Sequence, residues 1–219
     1  MFILIKKKTF YKNYIKDMSN QTKIPPAPLS CYDNLEDTLS YTWSLLARGV
    51  KDRKSAFHTP TIATIGADNA PQLRTVVLRG CDVEQQRLRF HTDKRSAKVL
   101  EMGKNPTAAI HCYDAGLKVQ LRLGVELKLI DGSGFDEAWT ATRPMSRECY
   151  QVTASPGSPI DDPYDALFNA DATQNGEINF APIAAEVKTI EWLYLAAKGH
   201  RRAYFDFTQT PVKMEWLVP

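Results

Sequence analysis

Arg74 and Arg79 bracket an apolar run, Thr75-Val76-Val77-Leu78, and a second polar cluster follows at His91-Thr92 and Ser96-Ala97-Lys98. Cations at both ends of a β-branched strand, then two hydroxyls and a lysine around a helix start, are groups that can hold a phosphorylated planar molecule. The cations and helix-start N–H groups take the phosphate, while the apolar strand of Thr75, Val76 and Val77 backs a ring. One difficulty is geometric: residues five apart face opposite sides of a straight strand, so Arg74 and Arg79 share a ligand only across a bulge or around a strand end. The same spacing equally describes two solvated arginines flanking a buried Val-Val-Leu core.

Three other groups carry charge in a pattern. Gln120 alternates with Lys118 and Arg122 against Val119, Leu121 and Leu123, so three long polar side chains could edge a flat ligand or a subunit contact. His200-Arg201-Arg202 opens a strand after Lys198-Gly199, and Arg143-Pro144 with Arg147 lies close to Trp139. Each cluster suits an anion and each is also an ordinary wet surface. No Ser-His-Asp order, HExxH or paired carboxylate is present, and neither is GxGxxG nor GxxxxGK[ST]. That leaves no catalytic residue to name and fits an enzyme whose difficult chemistry resides in a cofactor.

The elements that must position these groups follow from the pattern. Leu35, Leu39, Trp43 and Leu46 recur at helical spacing behind Asp33 or Asn34 as cap, with Gly49 as a stop. From Thr61 the period is two: Thr61–Ile65 and Leu73–Arg79 read as strands joined by a Gly66-to-Pro71 turn, and Arg87–Thr92 as another. A short helix from about Ser96 to Met102 follows, then strands over Thr107–Tyr113 and Leu117–Ile130, where Gly124 is a bulge candidate. The pattern is helical between Ser133 and Tyr150, interrupted at Pro144, and polar from Asp161 to Asn179. Strands return at Ile183–Ala197, Arg201–Phe207 and Val212–Val218. Short strands at hairpin spacing with inserted helices predict a mainly β, α+β fold: an antiparallel, Greek-key-like barrel with peripheral helices.

The chain has 219 residues, 43% hydrophobic and 24% charged, and its 28 basic residues nearly balance 25 acidic ones. That balance argues against a nucleic-acid partner. Four scattered cysteines without a CxxC pair, and histidines without zinc spacing, leave no metal site to expect. No apolar run is long enough to span a bilayer, and Met1–Lys8 makes a poor signal peptide, so the expected location is cytoplasmic, with no membrane partner. Residues 1–30 are expected to be a tail, with Met18 as an alternative start, and 31–219 a single domain.

In their order along the chain these segments resemble the pyridoxamine 5′-phosphate oxidase family of FMN-binding split barrels, and most of all its less characterised "pyridoxamine phosphate oxidase-related" members. The resemblance rests on Arg74-to-Arg79, His91-Thr92, Ser96-Ala97-Lys98, Val119-to-Arg122, Arg143-Pro144, Ile190-Glu191-Trp192, His200-Arg201-Arg202 and the closing Trp216-to-Pro219. It runs from about Thr61 to the C terminus. It implies a homodimer with FMN between subunits and a small-molecule substrate oxidised at the expense of oxygen; a flavin-binding module without oxidase activity and an FMN-linked NAD(P)H reductase are the alternatives. By position, Arg74, Thr92, Ser96 and Lys98 correspond to the FMN-phosphate group. Arg79 and His91 correspond to contacts near the ring or substrate, and Gln120, Phe180 and Arg202 to contributions from the partner. Arg79, Trp139, Arg143, Arg147, Lys198 and His200 correspond to the substrate pocket. There the chain departs from the true oxidases, with Trp139 for a tyrosine, Arg147 for a serine and Arg79 for a lysine. Ala97 stands where a second phosphate-binding arginine is usual, and Phe180 where a tryptophan is.

Overall fold

A computed structural model describes residues 29–166, 176–197 and 199–219. The expected tail therefore lies outside the described residues but for its last two, as does part of the polar stretch before Phe180.

After a single 3₁₀ turn at Leu29–Tyr32, helix α1 runs over Leu35–Lys51. Asn34 caps it, accepting the Asp37 N–H at 2.9 Å. Gly49 does not stop it. The helix continues to Lys51, because Gly49 serves packing: a Cβ there would lie 2.6 Å from the Phe57 carbonyl oxygen.

Among the described residues nine strands follow: β1 Thr61–Ile65, β2 Pro71–Thr75, β3 Leu78–Asp82, β4 Arg87–Asp93, β5 Thr107–Asp114, β6 Val119–Leu129, β7 Phe180–Tyr194, β8 Arg201–Asp206 and β9 Lys213–Leu217. All pairings are antiparallel, and the main path is β2-β1-β5-β6-β7-β4-β3. The split arises in β7. Beside β6 along most of its length, it pairs on its other edge with β4 through Glu186 and with β8 from Thr189 on. That change of partner divides the sheet into a β4–β3 branch and a β8–β9 branch. Helices α2 (Ala97–Lys104), α3 (Gly132–Thr140) and α4 (Pro144–Arg147) are inserted between strands.

The main core is lined by inward residues of alternating strands, among them Ile62, Leu88, Phe90, Ile110, Leu121, Leu123, Ile190, Trp192 and Phe205, with Tyr41, Leu45 and Leu46 of α1 against them. A smaller core of Ala138, Trp139, Tyr150 and Phe180 holds α3 to the start of β7. Gly124 does mark a bulge, since the β6–β7 register shifts between Gly124 and Val125 and a Cβ at Gly124 would meet the Thr189 hydroxyl at 2.6 Å.

The expected Leu73–Arg79 strand is two strands. It breaks at Val76-Val77, where the Val76 N–H turns to the Pro60 carbonyl at 2.9 Å, and the β3–β4 register shifts between Leu78 and Gly80. This break and bulge remove the alternation that would force Arg74 and Arg79 onto opposite faces. No helix among the described residues is long and apolar enough to cross a membrane.

Candidate functional site

The turn from β4 into α2 gathers the polar groups. Thr92 and Ser96 are buried, their hydroxyls 3.2 Å apart, and Ser96 Oγ donates to the Asp93 carbonyl at 2.6 Å. Lys98 Nζ donates to Thr92 Oγ1 at 2.9 Å. The Ser96 side chain makes no cap hydrogen bond to α2, so the first N–H groups of that helix keep their affinity for an anion. Asp93 and Arg95 hold the turn rigid. Arg95 pairs with Asp93 at 2.7 Å and donates to the Val152 and Thr153 carbonyls, which takes its guanidinium away from the cluster.

Arg74 reaches the same place from β2. Its guanidinium donates to the Thr64 hydroxyl and pairs with Glu101 of α2 at 2.8 Å, while Thr64 in turn donates to Glu101. Burial and the nearby Arg74 charge push the Lys98 pKa below the ordinary lysine value, with Glu101 opposing them. Arg74 pairs with Glu101 while Lys98 forms no ion pair among the described residues, so the cluster keeps an excess of positive charge that suits an anion. Sequence reasoning missed Thr64 and Glu101. Thr64 had a signal, as a polar residue at a core-facing position of an alternating strand. Glu101, three residues beyond Lys98, shares its face of the helix.

His91 of β4 sits at the edge of the smaller core. Its ring lies 4.8 Å from Phe180, edge to face, Thr142 Oγ1 is 3.4 Å from Nδ1, and Nε2 is buried without a partner among the described residues. Burial, then the Arg89 and Arg79 charges, push its pKa down to about 3, so the imidazole is neutral at physiological pH. A buried ring nitrogen without a partner on its own chain is a polar group that calls for an explanation.

Arg79 and Arg143 meet on one cavity of about 450 Å³, walled by Val50 and Val77. Thr75, the last residue of β2, is exposed, and Val76 is buried in the main core. Trp139 and Arg147, expected beside Arg143 in the substrate pocket, face inward. Trp139 belongs to the smaller core, and Arg147 donates to the Trp139, Thr140 and Thr142 carbonyls with its guanidinium 4.7 Å over the Trp139 ring. Arg147 thus satisfies the carbonyls ending α3 and fixes the loop that presents Arg143. Phe180 is 2% exposed, packed by Trp139 and Tyr150 of its own chain, so its ring is enclosed by its own chain rather than presented to a partner.

Gln120 and Arg202 lie in one cross-strand row through Leu193. Arg202 pairs with Glu191 at 2.9 Å and leaves its Nε buried and unpartnered among the described residues; no hydrogen bond there joins this row to the Arg74 cluster. His200 is exposed just before β8, and Lys198 lies outside the described residues.

Residues 40–131 match the family model described as pyridoxamine 5′-phosphate oxidase, FMN-binding domain. The pyridoxine/pyridoxamine 5′-phosphate oxidase 2 of Arabidopsis thaliana is 28% identical over 158 residues, covering 68% of this chain and 78% of that one. The pyridoxine/pyridoxamine 5′-phosphate oxidase of Cupriavidus metallidurans is 27% identical over 135 residues, which is 61% of this chain but only 57% of that relative's length. Among solved structures, a pyridoxamine 5′-phosphate oxidase-related, FMN-binding protein of Nostoc punctiforme superposes with a TM-score of 0.65 at 22% identity, over 82% of this chain and 96% of that one. PhzG of Burkholderia lata, in complex with tetrahydrophenazine-1-carboxylic acid, gives 0.68 at 18% identity, over 89% and 98%. Residues 40–131 thus match the FMN-binding domain of the pyridoxamine 5′-phosphate oxidases, and the fold around them is that of the FMN-binding split barrels.

Proposed function

We propose that this protein is an FMN-dependent oxidoreductase that works as a homodimer on a small anionic substrate. The observation that carries the reading is the cluster of Arg74, Thr92, Ser96 and Lys98 at the start of α2, two cations and two buried hydroxyls beside helix N–H groups that no side chain caps. These residues fit a phosphate monoester. The orphaned His91 Nε2 fits a hydrogen-bonding partner on the ring or substrate side.

When bound, FMN supplies two-electron chemistry, accepting a hydride from an amine- or alcohol-bearing carbon and passing the electrons to oxygen as peroxide. The chain's own part is to bind and orient. Lys98 and Arg74 hold the phosphate, Thr75 and Val77 offer the end of β2 and the break after it, and His91, kept neutral, accepts or donates a hydrogen bond without adding charge. Arg79 and Arg143, which share one cavity, draw in the anionic end of the substrate. A second chain is supported by the Gln120–Arg202 row, which among the described residues has no hydrogen bond to its own Arg74 cluster. It is also supported by Leu73 and Leu100, 65% and 68% exposed beside that cluster on β2 and α2.

The inward placement of Trp139 and Arg147 favours a substrate other than pyridoxamine 5′-phosphate, whose relatives' pocket has a tyrosine and a serine there. The experiment is an anaerobic screen of phosphorylated and carboxylated amines and alcohols against the purified yellow protein, followed by loss of flavin absorbance. Bleaching that recovers with air supports the oxidase. A yellow dimer bleached only by NAD(P)H is a reductase, and one bleached by nothing is a flavin-binding module.

A further inference from the structure

The cavity that joins Arg79 and Arg143 has another bank, formed by the segment that follows α1. Arg53 and His58 line it, together with Lys51, and no aspartate or glutamate does. Among the described residues Arg53, Arg79 and Arg143 form no ion pair, whereas Arg48, Arg74, Arg95, Arg122, Lys128 and Arg202 each pair with an acid. Clefts lined by charge of one sign focus the field between their walls and raise the local concentration of counter-ions.

That bank is built rather than loose. Asp52 ends α1 and pairs with Arg48 at 2.8 Å, and it accepts the Lys54 N–H at 3.0 Å, so Arg53 projects from a closed turn. The Ser55 hydroxyl accepts the Phe57 N–H at 3.2 Å and caps the next turn, Ala56–His58. His58 is then fixed by a 2.6 Å hydrogen bond between Nδ1 and the Gly49 carbonyl. A carbonyl only accepts, so Nδ1 carries the proton and Nε2 is left for other partners. Gly49 makes this possible, since any Cβ there would strike Phe57. Arg79, in turn, stands at the β3 bulge, and Arg143 caps α4 on the loop braced by Arg147.

From this we infer that the cavity recognises a small polyanion: Arg79 and Arg143 take one anionic group, and Arg53 with His58 takes a second, a phosphate or a carboxylate, that a singly anionic substrate lacks. Arg53 is thereby a specificity-determining residue. The inference rests on the reading of Arg79 and Arg143 as the substrate side of the site. A volume of about 450 Å³ suits a small metabolite rather than a polymer.

The test uses the FMN-loaded protein, so that the Arg74–Lys98 cluster is already filled, and calorimetric titration at constant ionic strength. Inorganic phosphate is the single-group probe, pyrophosphate and phosphonoacetate the two-group probes. At least one two-group probe should bind tenfold or more tighter than phosphate; which one does so identifies the second group as phosphate or carboxylate. Arg53→Gln should bring that ratio close to one while leaving the phosphate affinity within about twofold, and Arg53→Glu should make phosphate the preferred probe. Lys213→Gln, a charge removed from the distant β9, should leave the ratio unchanged. Equal binding of all three probes by the unaltered protein, or a ratio indifferent to Arg53, overturns the inference, as does an equal loss in Lys213→Gln. Flavin absorbance read on the same samples separates the two failures: a yellow protein without the preference sinks this inference alone, whereas a protein that takes up no FMN sinks the functional reading.

Discussion

Arg74 and Glu101 meet at 2.8 Å, tying the edge strand β2 to helix α2, with the buried Thr64 hydroxyl between them. Glu101 does two opposing things. It fixes the Arg74 guanidinium beside Lys98, and it cancels part of the positive charge that a phosphate would feel.

Glu101→Gln separates these two effects. The amide can still accept from Arg74 but no longer offsets its charge. The variant should bind FMN several-fold more tightly at low salt, with the gain fading as salt screens it. It should also lower the melting temperature of the FMN-free protein, because a partly buried arginine loses its counter-charge. Fluorescence titration of FMN at two salt concentrations checks the first outcome, and a thermal melt of the stripped protein the second.

His91 gives a pH dependence with a definite sign. Its pKa falls from 6.5 to about 3 on folding, chiefly through burial and then through Arg89 and Arg79. Between those values the unfolded chain binds a proton that the folded chain refuses. Stability from this residue is therefore complete above 6.5 and is lost as pH drops toward 3, by at most about 1.4 kcal/mol per pH unit. Replacing it by glutamine, which cannot titrate, should flatten the acid side of the stability curve. Urea unfolding at neutral pH and at mildly acidic pH measures this; parallel curves for the two proteins would contradict it.

Gly49→Ala places a methyl group 2.6 Å from the Phe57 carbonyl oxygen, a contact that backbone cannot accommodate without moving. The turn at Ala56–His58 must shift away from α1, taking His58 with it. The expected cost is about 1–3 kcal/mol in urea unfolding. In the anion titration the variant should resemble Arg53→Gln, since both disturb the same bank of the cavity.

Much of the fold was legible because it depends on local periodicity. The Asn34 cap, the switch to period two at Thr61, the short helix after Ser96 and the bulge at Gly124 all need only neighbouring residues. So does the Thr92, Ser96 and Lys98 cluster, which a strand-turn-helix brings together within seven residues. What escaped the sequence depends on tertiary partners. Val76-Val77 looks like mid-strand, and only the Pro60 carbonyl draws the chain away from the ladder there. Arg147 looks like a pocket cation until the carbonyls that end α3 are found to claim it. Gly49 looks like a helix stop, but its role is set by Phe57, which approaches from the next turn.

The most direct measurement is the flavin content of three proteins purified side by side and reconstituted with FMN: the unaltered chain, Arg74→Ala and Lys98→Ala. The unaltered protein should retain close to one FMN per chain, and each variant should lose affinity by about ten- to a hundredfold, on the order of 1.5–3 kcal/mol for a charge-assisted phosphate contact. Equal flavin retention in all three would contradict the assignment of this cluster to the FMN phosphate.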